Sequence, residues 1–351
     1  MTSRIAIHGF GRIGRMVFRR AIQLGLDVVA VNGTADANTL LHLLKYDSIH
    51  GPWKVPIEVS EFGWIVDGKP VHLFNTRNPE EIPWGELDID VVVEATGKFR
   101  TRESASVHMK QGAKKVLITA PVKRADDADV TIVMGVNESS YDPDRHHIIS
   151  GASCTTNCLG PVVNVIHNAF GVESGLVTTV HAYTNDQLNQ DNPHKDLRRA
   201  RACGQSIIPT STGAAKAIGL VIPSLQGKLN GISLRVPTPN VSIIDLVAQV
   251  EMDVTPEDVN QELLAASNSQ ELMNILGYTD EPLVSVDFNG DARSAIVDAQ
   301  STMTIGKRTV KVLAWYDNEW GYSCRMVDIV RMMDARNKRL DASSFQTIGA
   351  V

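Results

Sequence analysis

The sequence predicts an α/β fold with two domains, from its length and from a change of pattern along the chain. With 351 residues, the chain is long enough for two domains that each bury a core. In its first part, short apolar strands alternate with helical segments, which is typical of a doubly wound parallel sheet. After Cys158 the β-rich segments become longer, which predicts an α+β domain with a mostly antiparallel sheet. We expect a first domain over 1–153, a second over 154–319 and a C-terminal helix over 320–351.

The first domain opens with a strand, a glycine-rich turn and a helix. Arg4-Ile5-Ala6-Ile7-His8 is apolar enough for a buried strand, and apolar residues with helical spacing follow Gly14. The next strand is expected over 27–32. The remaining predicted strands are 90–94, 115–119 and 129–134 in the first domain, with a helix over 102–111, and 175–183, 231–236, 241–250 and 310–316 in the second.

The run Gly9-Phe10-Gly11-Arg12-Ile13-Gly14 lies between the first strand and the first helix. In that position its glycines permit a tight turn, and backbone N–H groups at the helix start can reach a pyrophosphate. The motif alone is weak, but within a strand–helix–strand unit it predicts a Rossmann-type, dinucleotide-binding domain. Gly9, Gly11 and Gly14 are therefore candidate cofactor-binding residues.

The composition and charge argue against several classes of function. A formal net charge of −6 gives no general attraction to nucleic acid or to anionic lipid. No export signal is evident after Met1, so we expect a cytoplasmic protein with no nucleic-acid or membrane partner. Four cysteines are too few for a disulfide framework and would be free thiols in a reducing compartment.

Cys154 and His181 are the candidate catalytic pair. Ser153 is a good N-cap for a helix from about Cys154 to Asn168, which would place the thiol in the first helical turn. Such a position can lower the pKa of a thiol, and His181 on a later strand could accept its proton. An isolated cysteine and histidine would more often be packing residues, so the pair needs support from its surroundings.

That support comes from hydroxyl residues beside Cys154, the dinucleotide motif before it and two candidate anion sites after it. The run Thr210-Ser211-Thr212-Gly213-Ala214-Ala215-Lys216 offers hydroxyls and amides at the start of a predicted helix, and Arg235 ends a strand. A nucleophilic thiol, a nicotinamide and two anion sites together describe aldehyde oxidation through a thioester.

Two other groups of residues have competing interpretations. Cys158 follows Cys154 by about one helical turn, but no second cysteine or histidine pair accompanies it, so we predict no metal site. The basic run Arg198-Arg199-Ala200-Arg201 is either a solvated face or an anion-contacting loop.

At this point the chain resembles phosphorylating glyceraldehyde-3-phosphate dehydrogenases along essentially its whole length. The motifs that carry the resemblance are Gly9-Phe10-Gly11-Arg12-Ile13-Gly14-Arg15, Leu44-Lys45-Tyr46-Asp47-Ser48, Glu94-Ala95-Thr96-Gly97, Ser153-Cys154-Thr155-Thr156-Asn157-Cys158, His194-Lys195-Asp196-Leu197-Arg198-Arg199-Ala200-Arg201, Thr212-Gly213-Ala214-Ala215-Lys216, Arg235-Val236-Pro237-Thr238-Pro239-Asn240 and Trp315-Tyr316-Asp317-Asn318-Glu319.

The resemblance implies a mechanism and a set of site residues. Cys154 would be the nucleophile and His181 its base, and inorganic phosphate would cleave the thioester formed from glyceraldehyde 3-phosphate. The phosphate and substrate contacts implied in this way are Ser153, Thr155, Thr184, Arg199, Thr212, Gly213 and Arg235. The implied cofactor contacts are Arg12, Ile13, Arg77, Thr119 and Asn318. The resemblance also implies a homotetramer, with the final helix folding back onto the cofactor domain.

Departures from the family pattern concern the choice of cofactor. NAD-preferring relatives carry an acidic residue after Asn32, where this chain has Gly33 and Thr34, and they carry leucine where it has Asn192. A carboxylate at that position binds the ribose hydroxyls and repels a 2′-phosphate, so its absence predicts that NADP is preferred or that both cofactors are used. The alternative is that Asp36 takes over the ribose contact and NAD stays preferred.

Two further departures are His8 and Gly151, at positions where asparagine is usual. His8 is expected to be a packed residue at a strand end or a contact near the cofactor. The nearest enzymatic alternative for the whole chain is erythrose-4-phosphate dehydrogenase, a sister family with a similar site. A non-catalytic binding or regulatory protein on the same fold is an alternative of another class, against which the retained Cys154 and His181 argue.

Overall fold

A computed structural model describes residues 3–348, with side chains through 337, and divides the chain into two compact units. The first unit contains residues up to 132, then 138–152 and those from 323 onward; the second contains 133–137 and 153–322. The last three residues of the predicted C-terminal segment, 349–351, lie outside the described residues.

The first unit is built on a nine-stranded sheet. Its strands are β1 (Arg4–His8), β2 (Asp27–Asn32), β3 (Ile57–Ser60), β4 (Gly63–Val66), β5 (Lys69–Phe74), β6 (Val91–Glu94), β7 (Lys115–Ile118), β8 (Val130–Thr131) and β9 (Ile148–Ser150). Its helices are α1 (Arg12–Gln23), α2 (Ala37–Lys45) and α3 (Arg102–Lys110). The strand order is β3-β4-β5-β2-β1-β6-β7-β9-β8.

From β5 through β8 along the strand order, neighbouring strands are parallel, which confirms the predicted parallel arrangement. At the other edge, β4 pairs antiparallel with both β3 and β5. The strand predicted at 129–134 is shorter than expected. Ile132 still donates a backbone hydrogen bond to Ser150, but the amide of Val133 donates to the side chain of Asn137, which turns the chain out of the sheet.

Close packing of the glycine-rich turn explains two of its glycines. Gly9 has a φ of 101°, which favours glycine, and a side chain at Gly14 would place its Cβ 2.0 Å from the carbonyl oxygen of Gly9. Gly14 therefore lets α1 begin directly against the end of β1. Gly11, the N-cap of α1, makes no side-chain hydrogen bond to the helix start, and nothing beyond its chain neighbours lies within 4 Å of the position that a Cβ would take there.

The second unit contains a seven-stranded sheet and most of the remaining helices. Its elements are α4 (Cys154–Phe170), β10 (Val172–Ala182), β11 (Ile208–Ser211), α5 (Ala214–Val221), β12 (Leu229–Val236), β13 (Ser242–Val250), α6 (Pro256–Ser267), β14 (Leu276–Thr279), β15 (Ala295–Ile305) and β16 (Thr309–Tyr316). The strand order is β11-β12-β10-β13-β16-β15-β14, with β10/β12 and β14/β15 parallel and the other pairs antiparallel. The predicted, mostly antiparallel sheet is thus confirmed.

In the final helix, α7 (Trp320–Ile348), Met326, Ile329 and Met333 are fully buried. Its residues from Ser323 onward belong to the first unit. Met326 also explains Gly151, because a Cβ at that glycine would lie 2.4 Å from the Met326 sulfur. Among the described residues, no helix has the length and apolar character needed to span a membrane.

Candidate active site

Cys154 is the first residue of α4, as the sequence predicts. Ser153 is the N-cap, and its side-chain oxygen accepts a hydrogen bond of 3.0 Å from the Thr156 amide. The residue Cys154 has intermediate exposure, whereas Cys158 on the next turn is fully buried. The helix start therefore presents one cysteine and packs the other.

His181 lies near the end of β10 and faces the start of α4. Its Nε2 atom is 3.5 Å from the Cys154 Sγ atom, and its Nδ1 atom is 2.6 Å from the Ala182 carbonyl oxygen. When Nδ1 carries the proton and donates it to that carbonyl, the lone pair of Nε2 faces the thiol. The pair proposed from the sequence is therefore in contact in the structure.

Arg235 lies beside this pair, at the end of β12. One guanidinium nitrogen donates to the Ala182 carbonyl at 3.0 Å and lies 2.7 Å from Nδ1 of His181. The side-by-side pairing of β10 and β12 produces this contact, because the register places His181 opposite Arg235. The pairing of these two strands thus places the Arg235 guanidinium beside the His181 imidazole.

Burial is the largest influence on the ionisation of both candidate catalytic groups. Burial raises the pKa of the Cys154 thiol, although the charge of Arg235 and hydrogen bonds from Thr155 oppose it. Burial, and then Arg235, lower the pKa of His181 to about 3. The position in the first helical turn therefore does not give a lowered thiol pKa here, because desolvation outweighs the charge of Arg235 and the local hydrogen bonds. Both shifts favour the neutral forms and oppose transfer of the proton from sulfur to Nε2 at rest.

A second cation, Arg199, is held near the end of β10 by a polar cluster. Its guanidinium contacts Asp186 and also donates to Thr210 at 3.0 Å. The hydroxyl of Thr184 donates to the same Asp186. Although burial opposes its ionisation, Asp186 has a lowered pKa because Thr184, Arg199 and Arg235 stabilise its charge. Thr184, Arg199 and Arg235 thus share one electrostatic neighbourhood.

Thr212 and Gly213 precede α5, where the sequence predicts an anion site. The Thr212 hydroxyl accepts a 3.2 Å hydrogen bond from the Ala214 amide, and Gly213, the N-cap, makes no side-chain cap. The strand before them, β11, pairs with β12 so that Ile208 lies opposite Arg235. The strand that pairs with the Arg235 strand therefore leads to this helix start within a few residues.

Sequence reasoning missed three supporting residues. Tyr316 lies 2.9 Å from the Thr155 hydroxyl and 2.8 Å from that of Thr179, and its ring packs edge-on to His181. Ser242 donates to the Asn318 side-chain oxygen at 2.8 Å and accepts from the Ala182 amide at 3.1 Å. Asp186 binds both Thr184 and Arg199. Tyr316 was within a quoted motif but without a role, and the contacts that distinguish Tyr316 and Ser242 join distant segments, which gives no local signal.

A cavity of about 330 Å³ lies in the first unit, at the glycine-rich turn. Gly9, Gly11, Gly33, Thr34 and Arg77 are among its lining residues, as predicted for a cofactor site. Lys98 and Arg15 also line it, and no carboxylate does among the described residues. The open N-terminus of α1 and these cations fit a dinucleotide with its phosphate groups.

The predicted cofactor contacts that are not among these lining residues differ in their partners and burial. Arg12 makes a two-pronged ion pair with Asp47 at 3.1 and 3.2 Å. Although burial opposes its ionisation, hydrogen bonds from the His50 amide, Arg12 and the Ile49 amide lower the pKa of that carboxyl to about 2. Ile13 follows Arg12 in the first turn of α1. Thr119 is buried and donates to the Glu94 carbonyl. Asn192 and Asn318 belong to the second unit, where Asn192 is exposed and Asn318 is buried.

Comparison with known proteins gives a consistent result for both units. The family model described as the glyceraldehyde 3-phosphate dehydrogenase NAD binding domain matches residues 3–102, and the C-terminal domain model matches 153–318. The chain is 58% identical over 343 residues to glyceraldehyde-3-phosphate dehydrogenase 2 of Bacillus subtilis, covering 97% of this chain and 100% of that protein. It is 56% identical over 330 residues to the Geobacillus stearothermophilus glyceraldehyde-3-phosphate dehydrogenase, with 94% and 97% covered.

Proposed function

Because the chain belongs to the glyceraldehyde-3-phosphate dehydrogenase family, we propose that it oxidises glyceraldehyde 3-phosphate to 1,3-bisphosphoglycerate through a thioester on Cys154. It is an NAD(P)-dependent oxidoreductase acting on an aldehyde. The observation that carries the proposal is the 3.5 Å contact between the Cys154 sulfur and Nε2 of His181, beside two arginines.

In this mechanism Cys154 attacks the aldehyde carbon while its proton passes to Nε2 of His181, which returns it to the developing alkoxide to give a thiohemiacetal. The nicotinamide supplies the hydride acceptor when it is bound. His181 takes the hydroxyl proton as the carbonyl re-forms, and the product is a thioester. An oxygen of inorganic phosphate then attacks the thioester carbon, and the Cys154 thiolate leaves. The Ala182 carbonyl would orient His181 in this mechanism by accepting a hydrogen bond from Nδ1–H, the tautomer that leaves the Nε2 lone pair for the thiol.

Two anion sites would serve the substrate phosphate and the attacking phosphate. Arg199, Arg235 and Thr184 form a cationic and hydroxyl cluster beside His181, which supports binding of a substrate phosphate. Thr212 and Gly213 at the start of α5, together with Ser153 and Thr155 at the start of α4, offer hydroxyls and helix amides for the second anion. These assignments follow the family resemblance.

We also propose that NADP is preferred over NAD or used beside it. The cavity at Gly33 and Thr34 carries Arg77 and Lys98 without a lining carboxylate, which supports room for a 2′-phosphate. The alternative ribose ligand, Asp36, is engaged elsewhere: it caps α2, and its two oxygens accept from the amide and the hydroxyl of Thr39 at 3.0 and 2.7 Å.

Gly33→Asp should weaken the use of NADP. A carboxylate there would repel a 2′-phosphate, so kcat/KM for NADP should fall about a hundredfold. The matched control is Gly33→Asn, because both side chains crowd Leu40, whose Cδ1 lies 2.6 Å from the Cβ position, but only aspartate is charged. Equal losses in the two variants, or a strong NAD preference in the wild type, would contradict the proposal.

The overall function is tested by assaying the wild-type chain with glyceraldehyde 3-phosphate and phosphate, with each cofactor in turn. A parallel assay with erythrose 4-phosphate at the same concentration distinguishes this activity from that of the sister family. We expect the triose phosphate to give the higher kcat/KM. Preference for erythrose 4-phosphate would favour the alternative enzyme, and no turnover of either would favour a binding protein.

A homotetramer is proposed from the family resemblance, and the open face of the second sheet supports it. Leu176 and Ile232 on this face are 66% and 50% exposed, and strand register places Val247 and Met303 on the same side. Apolar side chains in such a patch usually contact another subunit. Sedimentation of the purified chain should show a tetramer, and a stable, active monomer would contradict this.

A further inference from the structure

Three ionisable side chains meet in the core of the first unit, next to the cofactor cavity. His8 ends β1, Glu94 ends β6 and His108 lies on α3, and they are 2%, 1% and 0% exposed. The Nε2 atoms of His8 and His108 lie 3.8 and 3.1 Å from the same oxygen of Glu94. Two histidines and a carboxylate in such proximity resemble a metal-ligand set, so their proton positions decide what the cluster does.

The proton position on His108 follows from its neighbour Trp84. The indole nitrogen lies 3.2 Å from Nδ1 of His108, and an indole N–H can only donate. Nδ1 therefore carries the lone pair, and the proton of the neutral ring is on Nε2, directed at Glu94. A ring in this state has no lone pair for a metal ion between the three side chains.

The proton position on His8 follows in the same way from Asn32. The Asn32 side-chain oxygen accepts from the Thr76 amide at 3.1 Å, and its nitrogen donates to the Thr76 carbonyl at 3.0 Å, which fixes the orientation of the amide. The same nitrogen lies 3.1 Å from Nδ1 of His8, so Nδ1 is an acceptor. Both imidazoles therefore direct an N–H toward Glu94, whose other oxygen accepts from the Thr96 amide.

His8 stays neutral because of its surroundings. Burial lowers its pKa to about 4, an effect that Glu94 opposes and His108 reinforces. From the loop after β6, the ring of Phe99 packs edge-on to the imidazole at 5.5 Å. The lone pair on Nδ1 is consequently available to Asn32 throughout the neutral pH range.

Asn32 connects this buried cluster to the wall of the cavity. His8, Asn32, Gly33, Thr76 and Arg77 all line it. The Asn32 side chain ties the end of β2 to the segment after β5, and the Gly33 amide adds a bond to the Phe74 carbonyl at 3.1 Å. The position of Arg77, one residue beyond Thr76, thus depends on how Asn32 is held.

We propose that His8 is a positioning residue for the dinucleotide: its Nδ1 lone pair holds Asn32, which in turn fixes the Thr76–Arg77 wall of the cavity. This inference rests on the proposal that this cavity receives the cofactor. His8 belongs to the first unit, whereas Cys154 and His181 belong to the second, and the proposal assigns it an effect on cofactor affinity and not on the chemical step.

The test measures dissociation constants of NADP and NAD by calorimetry on the purified full-length chain. His8→Leu removes the acceptor and should weaken binding about tenfold, with KM for the cofactor raised and kcat at saturating cofactor unchanged. His8→Asn retains an acceptor oxygen and should restore affinity to within about threefold of wild type. The exposed His42 on α2 supplies the control His42→Asn, which should bind as wild type.

Wild-type affinity in His8→Leu, or a loss confined to kcat, would overturn the inference. If the melting transition shows that His8→Leu does not fold, His8→Gln and His8→Asn are compared instead. Both side chains carry an amide oxygen that can accept a hydrogen bond. Equally weak dinucleotide binding by both variants would contradict rescue by an acceptor. Failure of the wild-type chain to bind either dinucleotide would instead refute the cavity assignment itself.

Discussion

Cys154→Ala should reduce phosphorylating oxidation of glyceraldehyde 3-phosphate at least about 10⁴-fold, the scale seen when an enzyme loses its covalent nucleophile. The change removes the sulfur that lies 3.5 Å from Nε2 of His181 and leaves no other thiol at that position. Because the glycine-rich cavity belongs to the first unit, the dissociation constant of the dinucleotide should remain close to that of wild type. Initial rates and calorimetry measure the two effects separately.

Cys158→Ala is the matched control, since Cys158 lies on the next turn of the same helix but is fully buried. It should lower stability through a small cavity while keeping kcat close to wild type. Retained turnover in Cys154→Ala would refute the covalent mechanism. Equal loss in both single variants would instead indicate a joint role for the two thiols.

His181→Asn should lower kcat/KM by about 10² to 10⁴-fold, the usual contribution of a positioned general base. Since burial raises the pKa of the Cys154 thiol, little thiolate forms at neutral pH without a partner that accepts the proton. The residual activity of the variant should therefore rise with pH, as thiolate forms without the base. Rates of thiol alkylation by iodoacetamide across the pH range check the same point without substrate.

His167→Asn provides the control for this variant, because His167 lies in the last turn of α4 and contacts Ser224. Its kcat/KM and alkylation profile should match wild type. A His181→Asn enzyme with an unchanged pH profile would show that another group accepts the thiol proton.

The N-cap and the first turn of α4 were predictable because they depend on neighbouring residues: a serine before an apolar periodic segment is a local signal. The glycine-rich turn was predictable for the same reason. The contact between Cys154 and His181 was not derivable from spacing, because it requires β10 to bring its end to the start of α4. Residue types suggested the pair and the family resemblance supported it, but only the structure gives the distance.

Electrostatic properties were the least predictable part of the site. The pKa of Cys154 depends on how much water is excluded around it, and the sequence places a helix start there without showing its burial. The contact of Arg235 with His181 depends on the register of β10 and β12. His8 illustrates the same limit, since its role depends on Asn32, Glu94 and His108, which come from three other elements.

Trapping the covalent intermediate tests the central claim most directly. The wild-type chain is mixed with glyceraldehyde 3-phosphate and oxidised dinucleotide in phosphate-free buffer, quenched in acid, digested and examined by mass spectrometry. We expect the acyl group on the peptide that contains Cys154, and its disappearance when inorganic phosphate is added before the quench. Turnover without an acylated Cys154, or an acyl group on another residue that phosphate releases, would contradict the account.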